Sequence, residues 1–288
     1  MSTSARAVAC LSGRTLRYAE VVDGRLRRLG AADFEVDAER AVFHHGDPAT
    51  LEAVAAALAE GLGGTQADTL LLAVHPTATT SFFTPLPAGL PAEVREGQIR
   101  QETALLADLS PTQAVRVRAA SVRTEARPEG DREWFHVVHV DEPVHARLSL
   151  LADALGLRGY DIADTTRAVA RLAEGPGLSL VVGAYAAHTE VAVARDGVFA
   201  FGTHGPSVAA ADTAYFALAA LQQAGAAAGD LGRLLVYGDA AAPERLGLTA
   251  EFTGATPAPL DPFAPFGRAP EADAAERAAF GPVLGAAR

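Results

Sequence analysis

Histidines and carboxylates gather at a few places in the chain. His136, His139, Asp141 and Glu142 form the densest group, and His44-His45-Gly46-Asp47 is a second. A transition metal needs three or four such side chains aimed at one point. Successive residues of a strand face opposite sides, so neither His44 with His45 nor His136 with His139 can share a metal without a bulge or a further partner such as His145. Asp47 before Pro48 reads as a helix cap instead. His204-Gly205-Pro206 lies between an extended run and a helical one, a place where anions bind readily and where a plain turn serves equally well. Cys10 sits inside an apolar run and reads as a buried thiol. Glu190 and Asp196, on and after a returning strand, read as solvent-facing.

Whole chemistries are excluded by what is missing. The 288 residues contain no lysine and no asparagine. Without lysine there is no Walker-type phosphate loop, no Ser-x-x-Lys nucleophile, no Schiff base and no protein-kinase lysine. Gly-x-Ser-x-Gly, His-Glu-x-x-His, Cys-x-x-Cys and Gly-x-Gly-x-x-Gly are absent as well, which removes the motif routes to hydrolases, zinc proteases and dinucleotide enzymes. A net charge of -11 argues against a nucleic-acid partner, because backbone binding depends on concentrated positive charge. No apolar run approaches the ~20 residues that span a bilayer. The N-terminus leads into a strand rather than a signal peptide, so the expected location is cytoplasmic.

The elements that must position any site come in two copies. Val8-Ala9-Cys10-Leu11 turns at Ser12-Gly13-Arg14, returns through Leu16 to Val22 and turns again at Asp23-Gly24. Leu178-Ser179-Leu180-Val181-Val182 runs to Gly183, returns through Thr189 to Ala194 and turns at Asp196-Gly197 before Val198-Phe199-Ala200-Phe201. Asp-Gly between extended runs is a hairpin signal. Each meander precedes a helix and one more strand. The first helix opens at Asp47-Pro48, carries Leu51, Val54, Ala55, Leu58 and Leu62, and stops at Gly63-Gly64 before Leu70-Leu71-Leu72-Ala73-Val74. The second is capped by Ser207, runs through Tyr215, Leu218, Leu221 and Gln222, and ends at Gly225 before Leu234-Leu235-Val236-Tyr237. The order β-β-β-α-β thus occurs twice, which predicts an α/β protein of two ribonuclease H-like lobes with a cleft between them. That plan resembles the actin, Hsp70 and sugar kinase superfamily.

Between the copies lies an α-β-β-α insert. It comprises a helix from Pro91 to Leu109, strands Val115 to Arg123 and Trp134 to Val140, and a helix from Pro143 to Leu155. The expected organisation is a first lobe core over 1–90, an inserted subdomain over 91–160, a second lobe over 161–254 and a proline- and alanine-rich tail over 255–288. For Ala272 to Phe280 the composition leaves two alternatives, one short helix docked on the second lobe or a mobile arm. Phe83-Thr84-Pro85-Leu86-Pro87 followed by Glu93-Val94-Arg95-Glu96-Gly97-Gln98-Ile99-Arg100-Gln101-Glu102 is similar to a stretch of the PilM family, actin-like proteins of type IV pilus assembly. Leu150-Leu151-Ala152-Asp153-Ala154-Leu155-Gly156-Leu157 and Tyr160-Asp161-Ile162 are similar to the passage that closes the inserted subdomain in that family. Ala211-Asp212-Thr213-Ala214-Tyr215-Phe216 also resembles an uncharacterised bacterial family of the same architecture.

The resemblance carries expectations about function. Nucleotide-hydrolysing members of the superfamily begin each phosphate loop with Asp-x-Gly, whose carboxylate organises Mg²⁺ and water. Here the loops read Leu11-Ser12-Gly13 and Val181-Val182-Gly183, so the glycines remain and the carboxylates are gone. The expectation is a pseudo-ATPase with no catalytic residues and no cofactor, in which Gly13, Gly183, Gly238 and Asp239 frame what is left of an ATP pocket. PilM likeness implies a scaffold that captures the cytoplasmic tail of an inner-membrane protein in a groove beside the insert, at the cytoplasmic face of that membrane. An exposed strand edge would supply backbone hydrogen bonds, with Val117, Ala119, Trp134 and His136 as the contact residues. The alternatives are an active kinase or ATPase of the same superfamily and a small-molecule sensor using the interlobe cleft.

Overall fold

Asp-Gly turns close both meanders. Asp23 and Gly24 have φ of 51° and 73°, and Asp196 and Gly197 have φ of 53° and 75°, the left-handed backbone that tight hairpin turns require. The computed structural model describes residues 4–107, 116–207, 209–239, 243–267 and 269–288. In it these turns join β2 (Thr15–Val22) to β3 (Arg25–Asp33) and β10 (His188–Arg195) to β11 (Val198–Pro206). With β1 (Ala5–Ser12), β4 (Leu70–Val74) and β8 (Tyr160–Asp164), the first sheet runs β3-β2-β1-β4-β8. With β9 (Leu178–Ala184), β12 (Leu231–Tyr237) and β13 (Pro257–Pro259), the second runs β11-β10-β9-β12-β13. Both sheets have two antiparallel pairings followed by two parallel ones. The duplication inferred from the sequence is therefore a property of the fold.

The helices follow from local signals. After a short turn of helix, α1 (Ala38–Arg40), Asp47 caps α2 (Pro48–Leu62) by accepting the Thr50 N–H at 2.9 Å. Val54, Leu58 and Leu62, on one face of α2, are buried against the first sheet. In the second copy, α6 (Ala210–Gln223) starts at Ala209, whose N–H is accepted by Asp212 at 3.1 Å. Ser207 is not the cap that its position suggested. It is buried, and its hydroxyl meets Thr213 Oγ1 at 2.9 Å.

The insert forms a third sheet of its own. It contains β5 (Thr80–Pro87), β6 (Arg116–Glu125) and β7 (Arg132–Val140) in the order β5-β7-β6, all antiparallel. Ile99 of α3 (Ala92–Leu106) packs with Leu86, Phe135 and Val137 to form its small core. Leu109 and Val115, expected at the end of the helix and the start of the strand, lie outside the described residues. Two expected boundaries shift. The third sheet takes up β5, so it begins before residue 91. Tyr160–Asp164, which follows α4 (Glu142–Ala154), pairs in parallel with β4 and completes the first sheet, so the passage to the second lobe runs through α5 (Thr165–Ala170) rather than starting at residue 161.

The tail holds more structure than its prolines suggested. After α7 (Gly247–Thr253), Pro257–Pro259 forms an edge strand, where a missing N–H costs little. α8 (Ala274–Ala278) packs on β12 and β13, and α9 (Gly281–Ala287) packs on α5, β1, β2 and β4. Every residue of α9 is buried. The tail thus touches both lobes.

Candidate functional site at the interlobe cleft

The ends of β1 and β12 meet across the cleft. Ser12 Oγ donates to Asp239 Oδ2 at 2.8 Å, and Arg17 Nη2 pairs with Asp239 Oδ1 at 2.8 Å. Gly13, at φ 55°, gives its N–H to Glu39 Oε2 at 2.8 Å. A cavity of about 630 Å³ opens beside them, lined by Arg14, Arg17, Asp37, Glu39, Tyr185, His188, Gly238, Asp239, Asp273 and Glu276 among others. Five carboxylates face two guanidiniums here. The amide and the arginine best placed for a phosphate are both already engaged by carboxylates, so a polyphosphate entering this cavity would meet like charge.

Each expected nucleotide residue has a definite place. Gly13, Gly238 and Asp239 line the cavity. Gly183 does something else: a Cβ there would lie 2.6 Å from the Tyr237 ring, so this glycine lets Tyr237 cross the strand toward Glu190. Gly238, at φ 100°, has the Ala184 carbonyl 2.5 Å from where a Cβ would stand. It serves a close passage of backbone as well as lining the cavity.

Below the cavity is a buried polar cluster that pattern reading misplaced. Glu190 is 0% exposed, not solvent-facing. Its Oε1 lies 2.6 Å from His75 Nδ1 and 3.3 Å from His188 Nε2, and its Oε2 accepts from Thr165 Oγ1 at 2.8 Å and Tyr237 OH at 2.7 Å. Cys10 Sγ stands 3.6 Å from the other nitrogen of His75. Burial opposes charge on His75, yet Glu190 holds its imidazole well above the ordinary histidine range, helped by Cys10 and Glu39. Burial would raise Glu190, but His75 and His188 hold it far below the usual carboxylate range. Asp196 remains at the surface, where its side chain accepts the Gly177 N–H at 2.8 Å. Among the described residues, His75, His188 and Glu190 are the group whose donor atoms could hold a metal, all within 4.8 Å of one another.

The expected partner residues divide. Val117 and Ala119 lie on β6, an edge strand, and line a groove with Arg95, Ile99 and Phe135. Trp134 and His136 lie on β7, which is paired on both sides and has no free edge to offer. Trp134 Nε1 donates to Glu125 at 3.0 Å beneath Arg123. His136 is buried and stacked on Phe83 at 4.7 Å, and burial lowers its pKa. The edge of β8 faces the edge of β6, and Arg118 is paired with Asp161 across the gap. Cavities of about 230 and 270 Å³ lie along it.

Two duplicated lobes, a cleft where β1 and β12 converge, and a small inserted sheet together define the actin-like ATPase fold. Among solved structures the chain is similar to the PilM-PilN type IV pilus biogenesis complex, with a TM-score of 0.70 at 15% identity over 98% of this chain and 97% of that one. It is also similar to a Bacteroides thetaiotaomicron protein of actin-like ATPase fold and unknown function, with a TM-score of 0.54 at 10% identity over 90% and 91% of the two chains. No family model and no curated protein matches the sequence. No helix among the described residues is long and apolar enough to cross a membrane.

Proposed function

We propose that this chain is a non-catalytic actin-like scaffold that holds an extended segment of a partner protein between β6 and β8. The observation that carries the reading is the pair of facing strand edges. Neither strand has a second neighbour in its sheet among the described residues, and an edge presents backbone donors and acceptors that an added strand satisfies. Val117, Ala119 and Ile162 line the space between them with apolar surface, Arg100 supplies charge, and the Arg118–Asp161 pair spans the gap that the segment would enter. Likeness to a PilM-PilN complex supports a pilus or secretion apparatus as the setting, with the cytoplasmic tail of an inner-membrane protein as the segment.

The test is a fluorescence-anisotropy titration, at cell-like salt, of synthetic tails from the envelope proteins encoded beside this one. One tail is expected to bind, and Ala119→Trp, at an exposed position in the groove, should weaken it at least tenfold while leaving the circular dichroism unchanged. Equal binding by Ala119→Trp, or no binding by any tail, overturns the reading.

The scaffold is a pseudo-ATPase in this reading. Leu11 and Val181 stand where hydrolysing relatives hold carboxylates, and the Gly13 amide is taken by Glu39. Calorimetry with Mg-ATP is expected to give no saturable heat, and a phosphate-release assay no turnover. Binding with turnover would favour the kinase or ATPase reading instead.

A further inference from the structure

His75, His188 and Glu190 come from both sides of the cleft. His75 follows β4 of the first lobe, while His188 and Glu190 lie two apart on β10 of the second, on one face of that strand. Their donor atoms converge at the cleft floor, with the His75 and Glu190 side chains fully buried and His188 14% exposed. Thr165 and Tyr237 hold Glu190 Oε2, which leaves Oε1 facing both imidazoles. Metal ligands are commonly oriented by such outer partners. The Tyr185 ring stacks on His188 at 4.6 Å and stands edge-on to His75 at 4.8 Å. Its buried hydroxyl has no hydrogen-bond partner among the described residues. His188 and Tyr185 also line the 630 Å³ cavity, which gives an ion a route from solvent.

We propose that His75, His188 and Glu190 form a transition-metal site of the zinc type that ties the two lobes together at the floor of the cleft. Two imidazoles and one carboxylate suit Zn²⁺, Co²⁺ or Ni²⁺, whereas Mg²⁺ and Ca²⁺ prefer all-oxygen ligand sets. Ligand atoms around a tetrahedral zinc stand about 3.3 Å apart. The His188–Glu190 separation of 3.3 Å meets that spacing. On binding, the metal would displace the His75 proton to solvent, the His75–Glu190 contact of 2.6 Å would open by about 0.7 Å, and the two imidazole nitrogens, within 4.8 Å of each other, would draw together, movements open to groups on separate lobes. Tyr185 and the cavity adjoin His188 on the open side of the cluster. Nothing in this site depends on a partner in the β6–β8 groove.

The experiment uses the full chain stripped with a chelator and titrated with Zn²⁺ against a chromophoric competitor, with Co²⁺ as the spectroscopic probe. One equivalent is expected to bind, Co²⁺ should develop the intense visible bands of a four-coordinate nitrogen and oxygen site, and Zn²⁺ should raise the melting temperature. His188→Ala, at the cavity wall, should fold but bind at least a hundredfold more weakly and lose the metal-induced rise. The double variant His44→Gln, His45→Gln controls for binding at the exposed histidine pair and should match the parent. The proposal is overturned by absence of a one-equivalent site, by unchanged affinity in folded His188→Ala, or by loss of binding in the His44, His45 variant.

Discussion

Glu190→Ala should destabilise the metal-free protein by about 3–5 kcal/mol, the cost typical of removing one partner from a buried ion pair, and lower the melting temperature by on the order of 10 °C. The carboxylate has four polar partners at once: it accepts from the Thr165 and Tyr237 hydroxyls and lies against the His75 and His188 rings. Removing it leaves the fully buried His75 imidazole without the group that stabilises its charge, and two hydroxyls without an acceptor. Each buried unsatisfied group costs about 1–3 kcal/mol. Glu190→Gln keeps the shape and one acceptor oxygen, so its loss should be smaller. Urea unfolding of Glu190→Ala, His75→Ala and the double variant beside the parent measures the coupling directly, with Glu190→Gln as the milder comparison. A loss below about 1 kcal/mol for Glu190→Ala would mean that water has taken over the carboxylate's contacts, and the cluster would then not be the dry junction between lobes that its geometry describes.

That cluster was hidden from the sequence for a physical reason. Glu190 stands beside Thr189 at the polar start of a strand whose later residues, Val191-Ala192-Val193-Ala194, are all apolar, and a carboxylate in that position is ordinarily read as wet. Here both faces of the second sheet are covered, by α6 on one side and by α5 and the tail on the other, and Thr189 through Ala194 are all buried. A carboxylate in such a strand signals an internal partner. The partner, His75, lies far away in sequence beyond β4, and no spacing rule connects them. Local chemistry was legible where the cause is local. The Asp-Gly hairpins, the Asp47 cap and the two β-β-β-α-β units all depend on residues close in sequence. Tyr160-Asp161-Ile162 was recognisable as the passage that closes the insert, but the membership of β8 in the first sheet is a long-range parallel pairing with β4 that sequence periodicity does not encode. Of the groove, Val117 and Ala119 were accessible because valine alternates with arginine from Val115 to Arg118, whereas the central position of β7, which removes Trp134 and His136 from any free edge, is a matter of sheet order.

Gly285→Val should undock the C-terminal helix and destabilise the protein by about 3–5 kcal/mol, combining overpacking with lost burial. A Cβ at position 285 would stand 2.3 Å from the Ala168 carbonyl oxygen and 2.5 Å from its carbon. Both are backbone atoms of α5, which cannot swing aside as a side chain can. α9 must therefore move, and Val283, Leu284 and Ala286, all 0% exposed, lose their contacts with it. Two tethers would break in the same event, the Arg6 bond to the Ala287 carbonyl at 3.0 Å and the Arg288 bond to the Arg171 carbonyl at 2.8 Å. Gly97→Ala on α3, where a Cβ meets nothing within 4 Å, is the matched control and should be neutral or gain up to about 1 kcal/mol from helix propensity. Limited proteolysis separates the outcomes. An undocked tail is cut within residues 281–288 while the lobes stay intact, whereas a Gly285→Val protein as resistant as the parent would mean that α5 yields and that the tail is not the brace between the lobes that its burial implies.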